Sequence, residues 1–144
     1  MPSRSARTGW NGTLQEGAGE VELSSSGLGT FNMSFPSRAA EEAGGKTSPE
    51  ELIAAAHSAC FAMQLSAEIA EMNATPKSLE VTATVSLGPD TPGFKLTGIK
   101  LTVRGDVDGL DSDDFVKAAQ AAKQSCPVSK ALTGVPISLD AALM

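Results

Sequence analysis

Apolar and polar residues alternate along the first third of the chain, a pattern typical of strands with one buried face. Asn11-Gly12 is a strong hairpin signal within this region. Gly44-Gly45 lies in a polar stretch, residues 39–46, that predicts a flexible connection. The predicted strands are residues 6–10, 13–15, 19–23 and 30–35, and the last of them ends at 36–38.

One long helix is predicted from about Pro49 to Met72. Ser48 provides the N-cap, Pro49 takes the first helical position, and Glu51 follows three residues after the cap. Apolar residues then lie on nearly every side, which predicts a buried helix. We expect no membrane span, because polar residues interrupt the apolar run at His57, Ser58, Gln64 and Ser66.

The second half of the chain returns to strands after Thr75-Pro76. Two long antiparallel strands are predicted, then a helix capped at Asp111, a short helix after Cys126-Pro127, and a last strand. This order indicates an α+β fold, with antiparallel sheets around a long buried central helix, in a single domain 1–144. The predicted ranges are 79–87, 94–107, 111–125, 128–132 and 135–139.

Composition removes several classes of function. The 144 residues carry a net charge of -6, and aromatic residues make up only 4%. Binding to nucleic acid or to anionic membranes is not expected on that balance. The polar N-terminus has no signal-peptide core, so we expect a cytoplasmic protein without a structural disulfide.

Cys60 and Cys126 are the only cysteines, and no C-x-x-C motif is present. They are either inert apolar thiols or a redox pair, and the residues alone leave both interpretations open. Cys126 lies at a predicted helix start, which favours a thiolate. Cys60 has His57 and Gln64 one turn away on its own helix.

The single histidine cannot form a histidine metal cluster, so His57 is a satisfied core residue, a modulator of Cys60, or half of a Cys/His acyl-transfer pair. Arg38 and Glu50 are either solvated charges or part of a site. Glu50 precedes Cys60 by ten residues, about 15 Å of helix. Glu50 can therefore serve only the Cys60 of a second copy, if two such helices pack antiparallel.

Two motifs carry a resemblance to a known family. Residues 48–65, SPEELIAAAHSACFAMQL, resemble the helix motif of the OsmC/Ohr peroxide reductases, and residues 123–129, KQSCPVS, resemble its second cysteine motif. The resemblance covers essentially the whole chain, and His57 and Met63 make it more similar to the OsmC branch. It implies an intertwined homodimer with sites made from both subunits, and no metal or flavin cofactor.

The resemblance also implies a stress-response antioxidant enzyme that reduces organic hydroperoxides, and hydrogen peroxide less well. Cys60 would form a sulfenic acid, Cys126 would resolve it to a disulfide, and a dithiol, lipoyl-type or other, would restore both thiols. Arg38 would favour the thiolate and Glu50 would hold Arg38. The expected substrate-binding wall consists of Leu52, Ile53, His57, Phe61 and Met63.

Two questions remain at this point. The helix start gives Cys126 the better case for a lowered pKa, whereas the resemblance makes Cys60 the attacking thiol. The alternative functions are a non-enzymatic dimer that binds a small hydrophobic ligand or acts in a stress response, and a Cys/His acyl transferase.

Overall fold

The computed structural model describes residues 1–144 and divides into two compact units, Met1–Leu52 and Ile53–Met144. The elements in chain order are β1 (Arg7–Asn11), β2 (Ala18–Glu22), β3 (Thr30–Met33), α1 (Phe35–Ala39), α2 (Pro49–Glu71), β4 (Thr75–Pro89), β5 (Phe94–Asp108), α3 (Ser112–Ser125), α4 (Pro127–Ala131) and β6 (Ile137–Leu143). The α+β class with a long helix is confirmed. The single-domain boundary stays a prediction.

The first unit contains an antiparallel sheet in the order β1-β2-β3. The predicted strand at residues 13–15 is wrong, because this segment forms the turn between β1 and β2. There the Gly17 amide donates to the Thr13 carbonyl at 2.8 Å, and the Glu16 amide donates to the Thr13 hydroxyl at 3.1 Å. These local hydrogen bonds replace strand pairing.

The third strand ends two residues earlier than predicted, at Met33, because a short helix follows. The Ser34 hydroxyl caps α1 by accepting from the Ser37 amide at 3.3 Å, and Pro36 lies in its first turn. Arg38 is therefore in the last turn of a helix, not in a loop.

Helix α2 begins at Pro49 as predicted, with the Ser48 hydroxyl accepting from the Glu51 amide at 3.2 Å. The expectation that α2 is buried on nearly every side is wrong, because only one face of the helix packs on the core. Met63, on another face, is 74% exposed. The fully buried positions recur every four residues at His57, Phe61, Leu65 and Ile69.

By length and composition alone α2 is long and apolar enough to cross a membrane, so the polar residues that interrupt its apolar run do not by themselves exclude a span. Its buried face nevertheless packs into a core of protein side chains, as the helix of a soluble protein does. We therefore describe α2 as a core helix.

The sheet of the second unit has the order β4-β5-β6. Strands β4 and β5 form a long antiparallel hairpin, but β6 runs parallel to β5, so the prediction of purely antiparallel sheets is wrong. Helices α3 and α4 lie between β5 and β6 in the chain and supply the long connection that a parallel pair requires. Strand β6 starts at Ile137, after Pro136, which has no amide to donate to a ladder.

Helix α3 begins as predicted, with the Asp111 carboxylate accepting from the Asp114 amide at 2.8 Å. At its end the Cys126 amide still donates to the Ala122 carbonyl, at 2.8 Å, and Pro127 then starts α4. Cys126 is thus held between two helices. The core around it is built from buried residues of α2, β5 and α3, including Phe61, Leu65, Leu101, Val103, Phe115 and Ala122.

Candidate active site

The second unit brings both cysteines together. Cys60 on α2 and Cys126 at the start of α4 have their Sγ atoms 3.0 Å apart, as free thiols. Cys126 is fully buried, whereas Cys60 is only half-buried. Since a disulfide has a sulfur–sulfur distance of about 2.05 Å, a movement of about 1 Å would allow one to form.

The two thiols differ in acidity. Burial raises the pKa of Cys60, and its hydrogen bond to Cys126 raises that pKa further. Burial also opposes ionisation of Cys126, but hydrogen bonding from Cys60, from Ser129 and from the Val128 amide outweighs it, so the pKa of Cys126 is lowered. Within one chain the negative charge of the pair therefore rests preferentially on Cys126, as its place at a helix start predicts.

His57 is fully buried on α2 and contacts neither sulfur through a hydrogen bond. Its Nε2 lies 2.7 Å from the Ser129 hydroxyl, while Nδ1 has no hydrogen-bond partner. Burial lowers the pKa of the imidazole, which favours the neutral ring. Neither ring nitrogen forms a hydrogen bond with a thiol, so the geometry does not support a Cys/His pair of the acyl-transfer kind.

Gln64, one turn after Cys60, forms its side-chain hydrogen bond with Glu68 and not with the thiol. Its side-chain amide donates to Glu68 at 3.1 Å, and the Ser125 hydroxyl donates to the same carboxylate oxygen at 2.9 Å. Glu68 thus joins α2 to the end of α3, immediately before Cys126. This bridge helps to fix the two cysteine-bearing segments against each other.

The first unit brings Arg38 and Glu50 together. The guanidinium forms a forked pair with the carboxylate, with Nη2 donating to Oε1 at 2.7 Å and Nε lying 3.1 Å from each carboxylate oxygen. Glu50 is only 8% exposed, so this charge has its partner at a buried position. The two residues are placed by Arg38 in the last turn of α1 and Glu50 in the first turn of α2.

The expected substrate wall is not one surface in this structure. Phe61 and His57 are fully buried and so present no surface to a ligand, whereas Met63 is exposed. Leu52 and Ile53 are half-buried. The wall stays a prediction.

The first unit contains an open apolar crevice of about 210 Å³. Arg38 contributes to its lining, together with Trp10, Leu14, Met33, Ser34, Phe35, Thr47 and Pro49. No group of three or more histidine, cysteine, aspartate or glutamate side chains is arranged to hold a metal ion.

Ser129 was not singled out from the sequence as a site residue. The available signal was its position three residues after Cys126, at the third position of a helix that Pro127 begins. A side chain there lies over the residue that starts the helix. The short run from Cys126 to Ser129 thus carries a thiol and a serine that lowers the pKa of that thiol.

Comparison with known proteins gives the same family by three routes. The family model described as OsmC-like protein matches residues 42–140. Peroxiredoxin OsmC of Escherichia coli is 42% identical over 131 residues, which are 91% of this chain and 90% of that protein. The organic hydroperoxide resistance protein OhrB of Bacillus subtilis is 35% identical over 126 residues, 85% of this chain and 88% of that one.

The fold comparison agrees. The crystal structure of Bacillus subtilis OhrB matches with a TM-score of 0.73 at 30% identity, over 95% of this chain and 97% of that chain. An organic hydroperoxide resistance protein OsmC from Legionella pneumophila matches with a TM-score of 0.76 at 27% identity, over 99% of both chains. The expectation from the two cysteine motifs is confirmed, and this chain belongs to the OsmC family.

Proposed function

We propose that this protein is a thiol-dependent peroxidase that reduces organic hydroperoxides to alcohols, and hydrogen peroxide less well. The observation that carries this proposal is the 3.0 Å approach of Cys60 and Cys126 in a chain whose relatives include a peroxiredoxin and organic hydroperoxide resistance proteins. Two sulfurs at that distance in a chain with no other cysteine support a two-thiol cycle.

In the first step Cys60 is the attacking thiol. A hydroperoxide can reach the half-buried Cys60 but not the fully buried Cys126, and access weighs more than the lower pKa of the inner thiol. The Cys60 thiolate attacks one peroxide oxygen, the O–O bond breaks, and the alkoxide takes up a proton to leave as the alcohol. Cys60 is thereby oxidised to a sulfenic acid.

In the second step Cys126 attacks the Cys60 sulfur. The S–S bond forms, the S–O bond breaks, and hydroxide leaves and is protonated to water. A dithiol, lipoyl-type or other, then reduces the disulfide and returns both thiols. Such a cycle suits the cytoplasm, where thiols are kept reduced, and we assign the protein to that compartment. No step in this cycle requires a metal or an organic cofactor.

The Arg38–Glu50 pair would favour the Cys60 thiolate. Burial raises the pKa of Cys60, so a nearby positive charge is needed to offset it. Glu50 precedes Cys60 by ten residues on α2, about 15 Å of helical rise, so we assign the pair to the Cys60 of a second chain. Arg38 would also stabilise the negative charge that develops on the departing oxygen.

The protein would therefore act as an intertwined homodimer. The first unit buries only one hydrophobic side chain, Val21, and leaves Trp10, Leu14 and Phe31 exposed. Met63 on α2 is exposed as well. Apolar surface of this kind is typical of a face covered by a partner, and a second copy is the partner that would complete the site.

A non-enzymatic binding dimer is the second candidate, and the apolar crevice beside Arg38 favours it. The deciding measurement is consumption of cumene hydroperoxide with dihydrolipoamide, for the native protein and for Cys60→Ser. Turnover that Cys60→Ser abolishes supports the peroxidase. Equal, background-level consumption by both proteins would refute it and favour the binding dimer.

A further inference from the structure

His57 and Ser129 form a buried hydrogen bond that the two-thiol cycle does not use. His57 is 0% exposed and Ser129 4% exposed, and the Nε2–Oγ distance is 2.7 Å. Nδ1 of the same ring has no partner. A buried polar atom without a partner is rare in proteins and calls for an explanation.

The lack of a hydrogen-bond partner at Nδ1 indicates which of the two ring nitrogens of His57 carries the proton. A proton on Nδ1 would leave a buried N–H donor unpaired, which is the less tolerated arrangement, whereas a proton on Nε2 is donated to the Ser129 hydroxyl. A doubly protonated ring is disfavoured because burial lowers the pKa of His57. We therefore assign His57 as the neutral Nε2–H form, with Ser129 Oγ as its acceptor.

This assignment directs the Ser129 hydroxyl proton. Once Oγ accepts from His57, its single proton is free to be donated elsewhere. Ser129 lies three residues after Cys126 on α4, and its hydroxyl and backbone amide both act on the Cys126 sulfur to lower its pKa. The His57–Ser129 hydrogen bond thus leaves the Ser129 proton available to the Cys126 sulfur, three residues earlier in the chain.

We propose that His57 and Ser129 are positioning residues for the second step, a buried relay that turns one hydroxyl proton toward Cys126 and holds its sulfur ready to condense with the Cys60 sulfenic acid. The proposal rests on the proposed peroxidase function. The relay contributes no atom to the products, since Cys126 supplies the electron pair and hydroxide is the leaving group. His57 acts only through Ser129.

The test begins with Cys60→Ser, which leaves a single thiol and keeps a hydroxyl donor beside it. The ultraviolet absorbance of the Cys126 thiolate is followed against pH in this background, then with Ser129→Ala, Ser129→Thr, His57→Leu or His57→Gln added. Loss of one hydrogen bond to a charged sulfur should reduce the thiolate-to-thiol ratio about tenfold at fixed pH in Ser129→Ala and His57→Leu. Ser129→Thr and His57→Gln keep a donor and should restore it.

Ser125→Ala is the matched control, because the Ser125 hydroxyl also lies beside Cys126 in the chain but donates to Glu68 and to the Ala121 carbonyl. Its titration should follow the Cys60→Ser parent. Unchanged titration midpoints in both Ser129→Ala and His57→Leu would overturn the relay. Should His57→Leu fail to fold, as judged by circular dichroism, Ser129→Ala with its Ser129→Thr rescue decides alone.

A second measurement uses both thiols. After rapid mixing with one equivalent of hydroperoxide, Ser129→Ala should lengthen the lifetime of the Cys60 sulfenic acid about tenfold before the disulfide appears. An unchanged lifetime would argue against the relay. A protein that forms no sulfenic acid would refute the peroxidase instead, and the thiolate titration, which needs no peroxide, would still decide whether the relay exists.

Discussion

Cys60 and Cys126 are 66 residues apart in the chain, yet their sulfur atoms lie 3.0 Å from each other. Cys60 lies in the middle of the long helix α2, and Cys126 lies between the end of α3 and the start of α4. The Glu68 carboxylate, which accepts hydrogen bonds from Gln64 and Ser125, joins α2 to the last residue of α3. The pair is thus built by packing between helices that a local sequence motif cannot specify.

One equivalent of organic hydroperoxide should convert the thiol pair to an intramolecular disulfide. The sulfurs need to approach by only about 1 Å, so the crosslink should form without unfolding. Non-reducing mass spectrometry should show a loss of two hydrogens, and peptide mapping should place the crosslink between Cys60 and Cys126. A crosslink that joins two chains instead would contradict this prediction.

Replacing each cysteine should stop the peroxidase cycle at a different step. Cys60→Ser should abolish peroxide consumption, because the buried Cys126 is not accessible to the substrate. Cys126→Ser should complete one turnover and accumulate a sulfenic acid on Cys60, since no resolving thiol remains. Dimedone labelling followed by mass spectrometry distinguishes the two, and label found on Cys126 but never on Cys60 would reverse the assigned roles.

The pKa values of the two thiols should move in opposite directions when the partner is removed. The hydrogen bond and charge of Cys126 raise the pKa of Cys60, so Cys126→Ala should lower it. Cys60 supplies a hydrogen bond that lowers the pKa of Cys126, so Cys60→Ala should raise it. Thiolate absorbance against pH measures both midpoints, and shifts of the same sign in the two variants would contradict the shared hydrogen bond.

The forked Arg38–Glu50 pair should matter for its geometry as well as for its charge. Arg38→Lys keeps the charge but loses the two-point contact, so peroxidase turnover should fall about tenfold or more. Arg38→Met should also destabilise the fold by about 2 kcal/mol, because the Glu50 carboxylate is left without its hydrogen-bond donor at a position only 8% exposed. Steady-state kinetics and urea unfolding measure the two effects.

The exposed pair Arg104–Asp140 is the matched control for Arg38–Glu50. It has a similar two-point contact, at 3.1 and 3.3 Å, but both side chains face solvent. Arg104→Lys and Arg104→Met should leave turnover unchanged and alter stability little. Equal effects of the Arg38 and Arg104 substitutions on turnover would remove the proposed role of Arg38.

Much of the fold was predictable because its signals are local. Caps at Ser48 and Asp111 gave the starts of α2 and α3, and alternation gave the β4–β5 hairpin. The same local signals failed where short polar hydrogen bonds compete with strand pairing, as in the turn at Thr13 and the cap at Ser34. The parallel direction of β6 depends on how a connection crosses the sheet, which alternation does not encode.

The site was predictable in its thiols but not in their surroundings. The pairing of Arg38 with Glu50, which the structure shows, followed from the family resemblance alone, since each residue taken singly resembles a solvated surface charge. The bond between His57 and Ser129 joins residues 72 positions apart, and no spacing rule connects them. The predicted burial of α2 was too extensive because apolar residues around a helix do not specify how many of its faces pack on the core.

The exposed face of α2 gives the last prediction, which concerns the proposed dimer. If a second chain covers Met63, a carboxylate placed there would be buried without a partner, and dimerisation should be lost. Analytical ultracentrifugation should find a dimer for the native protein and a monomer for Met63→Asp, with turnover lost alongside. Val116→Asp, on the partly exposed surface of α3, is the control and should remain dimeric and active. A native protein that sediments as an active monomer would exclude the shared site, because Arg38 of one chain would then have no second Cys60 to act on.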